Sequence, residues 1–329
     1  MKINKLERRI CVAPMMDWSD RHCRYLHRLY APHALLYTEM IVAAAIVRGD
    51  AARLLAHDAH EQPVALQLGG CDPEELAAAA RIGTAAGYAE INLNVGCPSD
   101  RVRNGSFGAC LMLRPALVAD CVRSLKEATD RPVTVKCRIG IDDREDYEFF
   151  ADFAHQVAQS GVDALIVHAR NAILAGLSPK ENREIPPLKY HFVHRLKAEL
   201  GSLPIVINGG LRSVPEAQPH IAGGLGVMIG RAAYHRPEYL AELEQEFVDA
   251  AWAIPEPWQI VDKMISYAQD CARQGVRLHS ITRHMHGVMA GRDGARAWRR
   301  FLSEVAARPD ARPEVLNSAL PIIKFGLAA

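Results

Sequence analysis

The sequence predicts an α/β protein: a closed (β/α)8 barrel of the TIM type followed by a small all-helical domain. Three observations carry that reading. Eight short, β-branched apolar runs recur over about the first 240 residues, amphipathic stretches with helix start and stop signals separate them, and no such run follows Pro255. The runs read as continuous rather than alternating, the pattern of strands covered on both faces in a parallel sheet. With 329 residues, 49% hydrophobic and 23% charged, the chain can bury a sizeable core, and wholesale disorder is excluded.

Taken in order, the runs begin at Ile10 (ICVAP), Leu35 (LLYTE), Val64 (VALQLGG), Glu90 (EINLNVGCP), Val133 (VTVKCRIG), Ala164 (ALIVHAR), Ile205 (IVINGG) and Gly226 (GVMIGR). Successive starts lie 21 to 43 residues apart, the length of repeated βα units, and eight units make a barrel ending near residue 240. A doubly wound open sheet is the competing arrangement. Between the runs, Asp72-Pro73-Glu74-Glu75 reads as an N-cap, a first-turn proline and acids matched to the helix dipole. Ser213 and Glu216 have capping-box spacing in a helix that stops at Gly223, and Gly87, Gly161 and Gly201 close helices just before strands. Pro255-Glu256-Pro257 reads as a linker that separates a barrel domain, 1–254, from a helical domain, 255–329. Helices are expected there over 258–274, 280–289, 295–306 and 312–327.

The eight cysteines form no C-x-x-C pair, so a structural zinc site and a disulfide framework are not expected. Residues 1–9 are polar, and the apolar stretch after them is broken by Pro14 and Asp17, so no signal-peptide core is read. The densest apolar run, 41–47, is too short to span a bilayer. A soluble, cytoplasmic protein with no membrane association, no metal and no obligate protein partner is the expectation. Several motifs fail on inspection. Gly224-Leu225-Gly226 lacks a third glycine and runs into a strand; His57, His60 and Glu61 do not make HExxH and read as an exposed helix face. There is no Walker A sequence and no G-x-S-x-G elbow.

Active sites of such barrels lie at the C-terminal strand ends. Met15, Met16, Asp17, Glu39, Gln67, Asn92, Asn94, Cys97, Lys136, Arg138, His168, Arg170, Asn208 and Arg231 are expected there. Asn208-Gly209-Gly210 follows the seventh run and Gly230-Arg231 the eighth, the two loops that commonly bind phosphate in this fold; glycine lets backbone N–H groups approach an anion closely. Lys136 has two chemical uses, a Schiff base with a carbonyl substrate or charge stabilisation of an anionic cofactor ring. Gln67 has the paired donor and acceptor that an imide edge requires, and His168 fits a cofactor contact or a core histidine. Cys97 stands in a loop fixed by Gly96 and Pro98, facing the site. A thiol ordinarily titrates near 8.5, so at neutral pH it is available as an acid.

The formal charge of +1 lacks the overall basicity of many nucleic-acid binders, but it is unevenly spread. Residues 255–329 carry 11 Lys+Arg against 7 Asp+Glu, whereas the remainder carries 28 against 31. Arg296 and Arg300 are i,i+4 neighbours with Arg299 beside them, one basic helix face that Arg283, His284 and His286 would extend. Arg101, Arg103, Lys180 and Arg183 add positive charge near the expected barrel mouth, which suits a phosphate backbone.

Six segments together resemble the tRNA-dihydrouridine synthases: Ala13-Pro14-Met15-Met16-Asp17-Trp18-Ser19-Asp20, Gln67-Leu68-Gly69-Gly70, Asn92-Leu93-Asn94-Val95-Gly96-Cys97-Pro98-Ser99, Val135-Lys136-Cys137-Arg138, Val167-His168-Ala169-Arg170 and Ile207-Asn208-Gly209-Gly210. The resemblance runs over essentially the whole chain. The segment 176–187 and Thr282-Arg283-His284-Met285 resemble the A branch, which modifies positions 20 and 20a of the tRNA D-loop. The resemblance implies an FMN-bearing barrel with a tRNA-binding helical domain. It places Pro14, Met15 and Met16 against the flavin, Gln67, Lys136 and His168 on its ring, and Asn208, Gly209, Gly210, Gly230 and Arg231 on its phosphate. It makes Cys97 the proton donor and Asn94, Lys180, Arg183, Arg296 and Arg299 tRNA contacts. The implied cycle is ping-pong: NADPH reduces FMN, a flipped uridine enters, hydride passes to uracil C6 and Cys97 protonates C5. Other readings of the same residues are a Schiff-base aldolase through Lys136, a free-pyrimidine or dihydroorotate-type FMN oxidoreductase, and an RNA-binding protein with a relic barrel.

Overall fold

A computed structural model of the protein describes residues 6–99 and 107–325. Eight strands close into a barrel: β1 (Ile10–Val12), β2 (Leu35–Val42), β3 (Val64–Gly69), β4 (Glu90–Val95), β5 (Val133–Arg138), β6 (Ala164–His168), β7 (Ile205–Asn208) and β8 (Gly226–Ile229). Each expected start is the observed start. All neighbours pair in parallel, and β1 pairs with β8 through Ile10 and Val227, which closes the ring and excludes the open sheet. Buried runs such as Val64–Gly69 and Ile205–Asn208 are strands covered on both faces.

β4 and β5 differ from that description. Glu90-Ile91-Asn92-Leu93-Asn94-Val95 and Val133-Thr134-Val135-Lys136-Cys137-Arg138 do alternate polar with apolar residues, although β4 is buried throughout. Their polar positions line the barrel interior, so the period of two reports an inside that is polar on one side.

Helix signals hold at most positions. Asp72 accepts the Glu75 N–H at 2.9 Å and Pro73 opens the helix Pro73–Ala85. Gly87, Gly161 and Gly201 have positive φ just past their helices. The capping box at Ser213 does not form: Ser213 is the N-cap of Val214–Ala222, but Glu216 takes the N–H of Arg212 at 2.6 Å. A box forms instead at Asp58, where Glu61 reaches back to the Asp58 N–H; in this single 3-10 turn Ala59 and His60 are exposed as expected, but Glu61 is fully buried.

The chain divides into two compact units, Met1–Asp17 with Ala34–Gly230, and Trp18–His33 with Arg231–Ala329. The helical unit therefore takes in more chain than 255–329. The reason is burial within it: the helix Arg21–Tyr30 places His22 against Tyr267 at 2.8 Å, and Tyr25 stacks on Tyr267. Asp20, the N-cap of that helix, also binds Arg283 and His284. By these units the helical part carries 16 Lys+Arg and 13 Asp+Glu, the barrel part 23 and 25.

Within the helical unit, Pro257–Arg273 and Ala295–Glu304 are helices close to the expected spans. The expected helix 280–289 is broken into Leu278–Thr282 and a 3-10 turn, Met285–Gly287. Gly287 approaches another backbone there; a Cβ would lie 2.7 Å from the His235 carbonyl oxygen. The last segment begins as a 3-10 helix, Pro313–Ala319, before Leu320–Phe325; the end of its expected span, 326–327, lies outside the described residues. Trp298 is fully buried and donates to the Met285 carbonyl at 2.9 Å. Among the described residues no helix is long and apolar enough to cross a membrane, and no cluster of three potential metal ligands occurs.

Candidate active site at the barrel mouth

Strand alternation decides what faces the barrel interior. Ala65, Ile166, Val206 and Met228 form an apolar cluster with Cys11, Ala13, Leu35 and Tyr37. Two residues further along, β3, β6 and β7 present Gln67, His168 and Asn208 on the same side, and Gly230 follows β8. β4 and β5 add Asn92, Asn94, Lys136 and Arg138, with Asn94 opposite Lys136 and Arg138 opposite His168 in the ladder.

Lys136 is the central cation. Its Nζ donates to Asn208 Oδ1 at 3.2 Å, and no carboxylate pairs with it among the described residues. Burial lowers its pKa to about 8, and the neighbouring Arg138 adds to the shift. Arg138 is itself buried and held by peptide carbonyls: Gly96 at 3.2 Å, Asn171 at 3.0 Å and Asn182 at 2.8 Å. Burial, with Arg138 and Lys136 as like charges nearby, keeps His168 well below its ordinary pKa, so the imidazole is neutral at pH 7. Among the described residues no acid pairs with these cations, and such a cluster fits an anion.

The amides are ordered around it. Gln67 Nε2 donates to Asn92 Oδ1 at 2.7 Å, and Gln67 Oε1 accepts from Asn94 Nδ2 at 2.8 Å. One N–H and one lone pair of Gln67 remain for a ligand's imide edge. Asn94 Oδ1 accepts the Gly96 and Cys97 N–H groups at 3.1 and 3.0 Å, which fixes the turn that carries Cys97. The half-buried Cys97 has its Sγ 3.4 Å from Ser99 Oγ.

Gly209 and Gly210 adopt φ of 113° and 76°. A Cβ on Gly209 would sit 2.7 Å from His168 Cδ2, so only glycine lets the backbone pass beneath that ring. Tyr190 OH donates to the Gly209 carbonyl at 2.5 Å. Met15 packs on the interior apolar cluster, Pro14 is half-buried and Met16 is exposed. Gly230 ends the barrel unit directly after β8, and Arg231 opens the short helix Arg231–His235 in the helical unit.

Lys180 and Arg183 are exposed in the loop after β6. Asn182, fully buried, pins that loop with bonds to the carbonyls of Ile173, Leu177 and Ser178 and from the N–H of Ile173. Arg183 contributes to the positive field felt by Lys136, Arg138 and His168. In the helical unit, Arg296 and Arg299 are exposed on Ala295–Glu304, whose Trp298, Phe301 and Leu302 are buried. Arg283 and His284 do not extend that basic face, because both are turned onto Asp20. Arg101 and Arg103 lie outside the described residues.

Sequence reasoning did not find Glu90, Thr134 or Asn182, and it placed Asn92 at a strand end when it lies inside β4. The signal was present for the first two in the polar alternation of β4 and β5. Asn182 left no signal, because its role depends on a loop that folds around it.

A family model described as dihydrouridine synthase matches residues 11–323. The chain belongs to the dihydrouridine synthase family. Relatives that carry the name tRNA-dihydrouridine(20/20a) synthase include proteins from three bacteria. The Vibrio vulnificus protein is 52% identical over 95% of this chain and 96% of its own length. The Xanthomonas campestris protein is 54% identical, over 94% and 92%, and the Escherichia coli protein 51% identical, over 96% and 91%.

Proposed function

We propose that this protein is a cytoplasmic tRNA-dihydrouridine synthase that reduces uridine to 5,6-dihydrouridine in the tRNA D-loop, at positions 20 and 20a. The observation that carries the reading is the inward layer of Gln67, Lys136, His168 and Asn208 beside a Cys97 turn held by Asn94. It stands in a chain whose family match spans 11–323.

The donor set fits FMN. Among the described residues Lys136 has no carboxylate partner, which suits an anionic ring, and Gln67 keeps one donor and one acceptor for its imide edge. In this assignment Gln67, Lys136 and His168 hold the ring, with Pro14, Met15 and Met16 against it. Asn208, Gly209, Gly210, Gly230 and Arg231 hold the phosphate. The bound flavin supplies hydride chemistry toward the uracil C5–C6 double bond, with NADPH as the reductant. Cys97 Sγ delivers a proton to C5, and the bonds from Asn94 Oδ1 to two successive N–H groups set where that thiol stands. Lys136 keeps positive charge beside the ring, and neutral His168 offers a ring without competing for protons.

The barrel unit is assigned catalysis and the helical unit tRNA binding. Asn94, Lys180 and Arg183 contact tRNA at the mouth; Arg296 and Arg299 contact its backbone from the helical part. The uridine leaves its stack to reach Cys97, as base chemistry on folded nucleic acid requires. The test is position-resolved mapping of dihydrouridine in tRNA from cells lacking this protein and cells regaining it. Loss and recovery confined to positions 20 and 20a is the expected result. Unchanged dihydrouridine at both positions would overturn the assignment.

A further inference from the structure

Beneath the mouth, a line of buried polar side chains crosses the barrel, and each hydrogen bond in it points the same way. The Gly96 and Cys97 N–H groups donate to Asn94 Oδ1, and Asn94 Nδ2 donates to Gln67 Oε1 at 2.8 Å. Gln67 Nε2 donates to Asn92 Oδ1 at 2.7 Å, and Asn92 Nδ2 donates to Thr134 Oγ1 at 2.8 Å. Thr134 then donates to Glu90 Oε1 at 2.6 Å. Glu90 is fully buried, accepts also from Tyr37 OH at 2.7 Å, and is neutralised by Arg8 through two bonds of 2.9 and 2.6 Å.

The ends of this line leave its direction no freedom. Backbone N–H groups can only donate, so the Asn94 atom facing them is oxygen. An ionised carboxylate can only accept, so the Thr134 proton goes to Glu90 and its lone pair faces Asn92. The three amides between are thereby locked in one of their two flip states, and bonds aligned head to tail polarise one another. The hydrogen bonds of Thr134 and Asn92 run to Glu90, to each other and to Gln67, so they act on the Cys97 turn through Gln67 and Asn94.

We infer that Asn92 and Thr134 are positioning residues, anchored by Glu90, which orient the Gln67 and Asn94 amides and so hold the ring-facing edge and the Cys97 turn in a single register. The inference rests on the proposed function for its consequence in catalysis, but not for the ordering itself. Thr134→Val keeps the shape of the side chain and removes the hydroxyl. It leaves Asn92 Nδ2 without its acceptor, so the line loses its anchor at Glu90 and is held at its Cys97 end alone.

The test compares Thr134→Val with Thr134→Ser and the unaltered protein. In the flavin-free protein, peptide-resolved iodoacetamide alkylation of Cys97 accelerates about 3- to 10-fold in Thr134→Val, the scale of one lost buried hydrogen bond. It returns to within about twofold of the unaltered rate in Thr134→Ser. In the flavin-loaded protein, the visible absorption band of the bound flavin shifts in Thr134→Val, as the Gln67 edge reorients, and does not shift in Thr134→Ser. A common alkylation rate and a common spectrum in all three proteins would overturn the inference. A rate difference that serine rescues, in a protein that forms no dihydrouridine, would uphold the ordering and remove the proposed function.

Discussion

In the helical unit, several cations are matched to acids. Arg283 and His284 share Asp20, Arg292 spans Glu238 and Glu256, and Arg236 forks onto Glu242. At the barrel mouth the half-buried Lys136 and the buried Arg138 meet, among the described residues, amide and peptide oxygens rather than carboxylates. At the barrel's other end, Arg8 is again paired, with Glu90. The contrast separates two uses of charge in one molecule. A paired buried charge holds chain segments together, and removing one partner strands the other. A buried cation with no acid has its desolvation uncompensated until something anionic arrives, which is how a site differs from a strut.

Cys97→Ala tests the mouth most severely. General-acid help of this kind is worth about 10²–10⁴-fold, so dihydrouridine formation should fall by that factor while flavin content and NADPH oxidation persist. Unchanged tRNA turnover would remove Cys97 from the reaction.

Lys136→Met is the next largest. Loss of a charge-assisted contact should weaken FMN binding roughly 10- to 100-fold, read by fluorescence titration. Because burial places the Lys136 pKa at about 8, the ammonium is present below that pH and lost above it. Flavin affinity should therefore fall as pH rises through 8, and Lys136→Met should flatten the profile. The sign for folding is opposite. Between pH 8 and the ordinary lysine value of 10.5 the unfolded chain binds more protons, so stability of the flavin-free protein gains from this group as pH rises.

Asp20→Ala tests the paired region. It removes the cap of Arg21–Tyr30 and the partner of Arg283 and His284, and should destabilise the protein by about 2–4 kcal/mol in urea unfolding. His284 and Arg283 hold the Asp20 carboxyl well below its usual range despite burial, which alone would raise it. Its contribution is thus present above the ordinary carboxylate pKa and is lost as pH falls below it. Arg273→Ala is the control: its pair with Asp270 is exposed, and stability should not change measurably.

The smallest effect is expected from Arg296→Ala and Arg299→Ala. Each should weaken tRNA binding modestly and reduce the slope of log affinity against log salt by about one, without altering flavin binding. An unchanged slope in both would remove the helix Ala295–Glu304 from the interface.

Much of the site was legible before any fold was in view. Local chemistry determined the eight strand starts, the caps at Asp72, Gly87 and Gly161, and the polar set Gln67, Lys136, His168 and Asn208 in the C-terminal halves of their strands, because these depend on neighbours in sequence. Only the tertiary structure decided that Asp20 and 231–254 belong with the helical unit, that Arg283 and His284 face inward to Asp20, and that Glu90 anchors a line of bonds ending at Cys97. Hydrogen bonds between residues 25 to 44 positions apart follow from the barrel's register, and register is fixed by how the whole sheet closes.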